Sequence, residues 1–486
     1  RQLLTESLVL AGLGAAAGLA LAQLGIEALR ALGPTTIPRL ASVRIDGPTL
    51  GVTVVLTVLT GIGFGLVPAL RGAAIGLLET LNTGGRAATG GGGARHALVV
   101  AEVALSVILV IGAGLLVRSF WRLQRVDPGY APDGLLAMSV ELPPSRYPPP
   151  RGWPILRWPA FETFYDGTLA RVGALPGVRS VALAHNSPVA SGWTTRVTVV
   201  GRPEPAPGEA DEARYRPVSE GFFETLGASL RAGRTFTARD RGDAAPVAIV
   251  DEAFARRYFP GAPAVGQRIT IFGVPREIMG VVGDTRYRGL DREVQPTMYV
   301  PLRQGAISAL TIVVRAAGDP LAVAGSVRGA LRELDPDLAA FDVTAVSEAL
   351  DASLDQRRFI MLLLALFAAV AVGLAAVGVY GVVSYSVAER TRELGIRMAL
   401  GAKPEDVTRA VLGQGLVQAS LGVAIGLLGA LALTRLMRNL LFGVTATDLP
   451  TYLAIPLVLG VVVVAASWLP ARRASRVDPM AALRTE

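Results

Sequence analysis

Six long apolar runs constrain this chain more than any other feature of its sequence. They fall near residues 8–29, 50–70, 97–117, 359–384, 412–434 and 451–469. Each is close to the roughly 20 residues that an α-helix needs to cross the hydrocarbon of a bilayer. Lipid offers no hydrogen bonds, and a helix satisfies its own backbone, so six membrane helices are expected. Composition agrees: 51% of the 486 residues are apolar and 18% are charged, where soluble domains average about 25% charged. Small residues recur at helical spacing, as in Gly12, Gly14 and Gly18 or Gly422, Gly426 and Gly429. Such positions let helices in lipid approach closely.

Between the third and fourth runs, residues 118–355 read as a soluble mixed α/β domain. Alternating or β-branched stretches predict strands at 134–142, 178–184, 194–200, 310–315 and 341–343, and helices at 160–175 and 320–334. This is two strand–helix–strand halves around an insert of about 205–305. The adjacent acids Asp251 and Glu252 read as a helix N-cap and a first-turn charge. The expected fold class is an α-helical polytopic membrane protein with a large extracytoplasmic mixed α/β domain. Arginine bias places that domain outside. Arg71, Arg86, Arg95, Arg390, Arg392, Arg397, Lys403, Arg472, Arg473, Arg476 and Arg484 lie in short loops on the opposite side.

The two ends of the chain repeat each other. The segment from Arg1 to Leu19 aligns with that from Arg409 to Leu427, matching Leu8 to Leu416, Leu13 to Leu421 and Gly14 to Gly422; further on, Pro68 matches Pro470 and Leu81 matches Leu483. The same two-helix unit therefore occurs twice. Only the second copy is preceded by a large domain, a helix and a polar connector, so a duplication truncated at its N-terminus is expected. Residues 83–96, with the run from Gly90 to Gly93, read as a flexible inner linker between halves.

The polar connector, residues 387–404, lies between two apolar runs. As a helix it stacks Thr391, Leu394, Met398 and Ala402 on one side, beside a charged stripe of Arg390, Glu393 and Arg397, with Glu393 and Arg397 at i,i+4. From Glu389 to Ala402 it reads Glu-Arg-Thr-Arg-Glu-Leu-Gly-Ile-Arg-Met-Ala-Leu-Gly-Ala. This resembles the macrolide-exporter and FtsX-like permeases of ATP-binding-cassette (ABC) systems. The third run with the segments 118–130 and 142–148 resembles the duplicated orphan permeases of that class, and the insert, at 247–260 and 278–284, its periplasmic domain. The resemblance implies residues 1–82 as the end of a first permease repeat, 97–117 as a membrane helix, 118–355 as a periplasmic core domain, and 356–486 as a second permease domain. It also implies that Glu389, Arg390, Arg392, Glu393, Leu394, Gly395, Arg397, Gly401 and Ala402 engage an ABC ATPase on the cytoplasmic face. ATP with magnesium is then used by that partner, and no cofactor is bound by this chain. The implied function is export of a hydrophobic compound, peptide or lipoprotein through the inner membrane. The alternative is force transmission to an outer-face partner such as a cell-wall hydrolase. Membrane lipid, a periplasmic partner and a second permease half are the other expected contacts.

A P-loop needs a Gly-x-x-x-x-Gly-Lys-[Ser/Thr] pattern, and Lys403 sits between Ala402 and Pro404. Cysteine is absent, and the two histidines, His96 and His185, are far apart, which argues against thiolate chemistry and a metal centre. His185-Asn186-Ser187 has no strained nucleophile turn around it. No arginine run suits nucleic acid. Glu102, one turn inside the third run, reads as structural, and Glu27 and Arg30 as a pair. These residues are not expected to form an enzyme.

Overall fold

A computed structural model describes residues 2–32, 42–75, 92–150, 158–203, 211–287, 289–400, 402–438 and 441–475. The chain divides into two units, Arg1–Arg122 with Asp355–Glu486, and Leu123–Leu354. The first unit opens with three helices: α1 (Gln2–Leu32), α2 (Gly47–Ile75) and α3 (Gly92–Gln124). Most of the expected linker, and the match of Leu81 to Leu483, lie outside the described residues. Asp46 caps α2, accepting from the Thr49 amide at 3.0 Å. Glu27 and Arg30 do not pair as expected: Glu27 accepts from Gln23 at 2.9 Å, and Arg30 donates to the Val43 carbonyl.

The second unit begins with β1 (Leu135–Glu141), α4 (Pro159–Gly173) and β2 (Val178–Ala184). Then come β3 (Trp193–Val199), β4 (Glu212–Val218), α5 (Phe222–Leu226), β5 (Leu230–Gly233), β6 (Val247–Asp251) and α6 (Glu252–Tyr258). After β7 (Arg268–Ile271), β8 (Val274–Val282) and β9 (Thr297–Pro301), the first pattern returns as β10 (Ala309–Ala316), α7 (Ala324–Leu334), β11 (Ala340–Ala345) and α8 (Val346–Ala352). The outer halves form one antiparallel array in the order β11-β1-β10-β2. Its period-two alternation separates two cores. Leu136, Met138 and Val140 of β1, with Leu310, Ile312 and Val314 of β10, share a core with Phe161, Phe164 and Tyr165 of α4 and Val327 and Leu331 of α7. Leu135, Ala137 and Val313 point the other way, into a core with Phe222, Phe223 and Leu226 of α5.

The insert is a second lobe, and it starts earlier than residue 205. β3 pairs with β4 and β7 rather than joining the outer array, and the pairings β4-β3-β7-β8-β6-β9 return to β4, closing a six-stranded circuit. Closure removes the open strand edges that a four-residue strand such as β7 leaves exposed. Val197, Tyr215, Val250, Ile269, Ile278 and Met298 share its core. Asp251 caps α6 as the sequence indicates. Its carboxylate accepts from the Phe254 amide at 2.7 Å and from the Thr297 amide of β9 at 3.0 Å. Burial raises this carboxyl to about 7, against the lowering effect of those two amides.

The chain then re-enters the first unit through α9 (Asp355–Glu389), α10 (Thr391–Ala399), α11 (Pro404–Leu436) and α12 (Leu449–Ala474). Among the described residues five helices are long and apolar enough to cross a membrane, in α1, α3, α9, α11 and α12. The expected run at 50–70 lies in α2, whose side chains are described as far as Gly63, and Gly47–Gly63 is apolar. Glycines set the α3–α11 spacing. A methyl on Gly422 would lie 2.8 Å from the Val103 Cβ and 2.9 Å from the Val100 carbonyl oxygen; on Gly426, 2.6 Å from the Val107 Cβ and 2.8 Å from the Ala104 carbonyl oxygen. Gly114 of α3 takes Ile455 and Thr451 of α12 in the same way, at 3.1 and 3.3 Å. The Ser106 hydroxyl ties α3 to the Ala371 carbonyl of α9 at 2.8 Å. The Glu102 carboxylate lies against Gly378 of α9.

Candidate functional site

The connector folds as a short helix between two breaks, and each break has a local cause. α9 ends at Glu389. The Thr391 hydroxyl bonds back to the Val387 carbonyl at 2.9 Å, a side-chain competitor for the helical ladder, and Arg390 leaves helical geometry with φ −102° and ψ 13°. Downstream, Pro404 disfavours helix at the preceding residue. Lys403 is extended, with φ −72° and ψ 148°, and Pro404 opens α11 with Glu405 and Asp406 in its first turn. The helix therefore covers Thr391–Ala399, half the length of the predicted stretch.

Within α10, Leu394 and Gly395 are buried and Met398 is half-buried. Leu394 shares an apolar cluster with Val383 of α9, Val407 of α11 and Ala471 of α12, with Met398 packed against it. Glu389, Arg390, Glu393 and Arg397 are exposed. Arg397 donates to Glu393 at 2.6 Å, the expected i,i+4 pair. Ala402 is half-buried, and its amide bonds the Arg397 carbonyl at 3.0 Å, beyond the last helical residue. Gly401 and the Arg392 side chain lie outside the described residues.

Two residues escaped the sequence reading. Ile396 is 42% exposed and Leu400 is 83% exposed. Their i,i+4 spacing, off the Leu394 side, was the available signal. The free surface of α10 thus combines a charge pair that neutralises itself with two bare aliphatic side chains.

This surface is joined to the bundle at both ends. α9 and α11 flank α10 directly, and α11 is the helix whose glycines receive α3. At its outer end α3 is bound again to the α11–α12 connection. Arg118 pairs with Asp448, the residue that caps α12; Arg122 donates to the Gly443 carbonyl; and the Phe442 amide donates to the Ser119 hydroxyl at 2.7 Å. At the inner end Arg473 of α12 donates to the Tyr380 hydroxyl of α9 at 3.1 Å. The chain leaves α3 at Gln124, just inside the second unit.

Residues weighed for chemistry have structural partners. His185 Nδ1 donates to the Ala309 carbonyl at 2.9 Å, and burial holds its pKa below the ordinary imidazole value. The Ser187 carbonyl accepts from Arg216 at 2.9 Å. Among the described residues no group of three or more His, Cys, Asp or Glu could hold a metal ion.

Comparison with known proteins agrees with this arrangement. Residues 97–330 match the MacB-like periplasmic core domain, and residues 365–479 match the FtsX-like permease C-terminal domain. The chain is similar to the pyoverdine export ATP-binding/permease protein PvdT of Pseudomonas putida, 26% identical over 350 residues, covering 68% of this chain and 50% of that one. It is similar to the macrolide export ATP-binding/permease protein MacB of Azoarcus sp., 27% identical over 282 residues, covering 56% of this chain and 41% of that one. MacB of Escherichia coli is 28% identical over 284 residues, covering 55% and 43%. The chain spans about half the length, or less, of these relatives. With a periplasmic core domain held between membrane helices and an FtsX-like domain after it, the chain belongs to the MacB/FtsX-like family of ABC permeases, multi-pass proteins of the inner membrane.

Proposed function

We propose that these residues form the membrane part of an ABC-type exporter and that α10 is the seat of a separate ATPase, which uses ATP and magnesium. The observation that carries this reading is the exposed Ile396 and Leu400 beside Glu393 and Arg397, on a short helix linked at each end to a span by a break of a few residues. A lone interfacial helix would turn its aliphatic side chains into its own bundle or into lipid and its charges to water. Here charge and grease share the free surface, as at the anchor of a protein interface. Nucleotide-driven movement of the ATPase shifts α10 and α11. The glycine contacts and the Arg118–Asp448 pair pass that shift to α3, and α3 moves the outer domain. The relatives are named for export of pyoverdine and macrolides, which supports a hydrophobic compound, a peptide or a lipoprotein as cargo.

The test is retention of the ATPase. Ile396→Asp with Leu400→Asp is expected to abolish co-purification of an ATP-binding subunit from host membranes and to lower ATP turnover of the purified assembly. Replacing Arg390, Glu393 and Arg397 with glutamine weakens retention less. Unchanged co-purification in both variants, with membrane insertion intact, removes α10 from this role.

A further inference from the structure

A cleft of about 480 Å³ opens in the outer domain where three stretches of chain meet. They are residues 127–131 before β1, 227–231 from the end of α5 into β5, and 283–286 after β8, with Glu252 of α6 beside them. Its volume is that of a site for a small organic molecule. Each carboxylate on the lining is already engaged. Asp127 accepts from the Gly129 amide at 2.8 Å, Asp284 accepts from the Ala253 amide at 2.6 Å and pairs with Arg256, and Glu252 pairs with Arg231 at 3.4 Å. The donors are less fully spent. Among the described residues the Ser229 hydroxyl has no hydrogen-bond partner, and the Arg286 side chain makes one bond, to the Arg292 carbonyl at 2.6 Å. Tyr130 is 5% exposed, and its buried hydroxyl has no partner. Burial pushes that phenol up, so it remains a donor, although the charge of Arg216 pulls the other way. Gly283 makes room for two of the cleft's groups: a methyl there would lie 2.8 Å from the Ser229 Oγ and 3.6 Å from the Arg231 Nε.

Charge around the cleft points the same way. Among the described residues Arg216, Arg286 and Arg315 have no ion-pair partner. Arg216 is 1% exposed, donates to the carbonyls of Asn186, Ser187 and Ala190, and lies 3.7 Å over the Tyr287 ring. Arg315 donates to the carbonyls of Thr225, Ala131 and Asp133, and its Nη2 is 3.5 Å from a methyl placed on Gly227. Carbonyls satisfy a guanidinium's hydrogens and leave its charge in place, and a charge out of water is costly unless an opposite one is near. Unspent donors and unneutralised arginines together suit an acceptor that carries negative charge.

From this we infer that the cleft binds the carboxylate or phosphate of a small soluble acid, held by Ser229, Arg286 and the Tyr130 hydroxyl. Hydrogen bonds from guanidinium and hydroxyl groups to an ionised oxygen are the strong ones. Arg216 and Arg315 supply the field that favours the anion over a neutral ligand of the same shape. Occupancy of the cleft is independent of an ATPase at α10.

Calorimetric titration tests this. The full chain in phosphatidylcholine nanodiscs is titrated with succinate and with inorganic phosphate, at an ionic strength held constant with sodium chloride. At least one of the two is expected to bind saturably at a single site. Arg286→Gln, Ser229→Ala and Tyr130→Phe should each weaken that binding about tenfold, while Arg328→Gln, at an exposed position of α7, leaves it unchanged. Tyr130→Phe removes a hydroxyl that no protein group answers, so its thermal midpoint without added anion should match that of the parent chain. That match separates loss of a ligand contact from misfolding. Equal affinity in phosphatidylglycerol nanodiscs is expected of a soluble ligand; weaker binding there would replace it with a lipid headgroup and overturn that assignment. Binding of neither anion, binding that survives both Arg286→Gln and Tyr130→Phe, or equal weakening by Arg328→Gln overturns the inference.

Discussion

Gly426→Ala in α11 isolates the α3–α11 contact on which transmission depends. The added methyl would stand 2.6 Å from the Val107 Cβ and 2.8 Å from the Ala104 carbonyl oxygen, where carbon atoms settle at about 3.5–4.0 Å. Val107 has a branched Cβ with little rotamer freedom, and a backbone carbonyl cannot rotate away, so α3 and α11 must part by about 1 Å. Overpacking of this kind costs about 1–3 kcal/mol, set against about 1 kcal/mol of helix propensity gained when alanine replaces glycine. Gly413, in the same helix, has nothing within 4 Å of its methyl position, so Gly413→Ala keeps the gain without the clash. The two variants should differ by about 2 kcal/mol, a factor of about 30 in the folded ratio. SDS-titrated unfolding in mixed micelles, followed by circular dichroism, reads that difference. If Gly426→Ala is as stable as Gly413→Ala, close α3–α11 packing is not what holds these helices together.

Arg118→Gln and Asp448→Asn should each destabilise the bundle by about 1 kcal/mol, and the double variant by less than their sum, because they remove one partly exposed pair; additive losses in the same titration would argue that the pair contributes nothing. Glu393→Gln with Arg397→Gln should change stability by less than about 0.5 kcal/mol, as expected of an exposed i,i+4 pair, so a large shift would mean that α10 is structural. Asp251 gives the outer domain a pH dependence. Its folded pKa of about 7 lies above the unfolded value, so its stabilising contribution is full below about pH 4 and is lost as pH rises through about 7. Asp251→Asn should flatten that decline in urea unfolding between about pH 5 and 8; an unchanged slope would assign the decline to other groups.

Elements with a local signature were legible in the sequence. β2 begins and ends at the predicted residues, Val178 and Ala184, because its largely apolar stretch is cut by Gly177 and by polar residues after Ala184. The Asp251 cap was legible for the same reason, since an N-cap is decided within three residues. What remained hidden depends on partners far along the chain. Nothing in β4 says that it pairs with β3 and β9, and at its end with β2, so the sequence shows the closed six-stranded circuit only as an insert. Arg118 and Asp448 are 330 positions apart, and neither carries a motif. The connector was predicted twice as long as α10 because charge pattern does not register a break made by the Thr391 hydroxyl and Pro404. Ile396 and Leu400 are not legible because isolated aliphatic residues in a polar stretch do not reveal which side of the helix the bundle covers.

The most direct test is to place a photo-activated crosslinker at Leu400 in the full chain, in host membranes, with a second at Phe341 of the outer domain, which is 47% exposed. Irradiation at Leu400 should yield an adduct whose peptides contain a P-loop, weakened by Ile396→Asp, while Phe341 yields none. Lipid alone captured at Leu400, or the P-loop protein captured at Phe341 instead, would contradict the account.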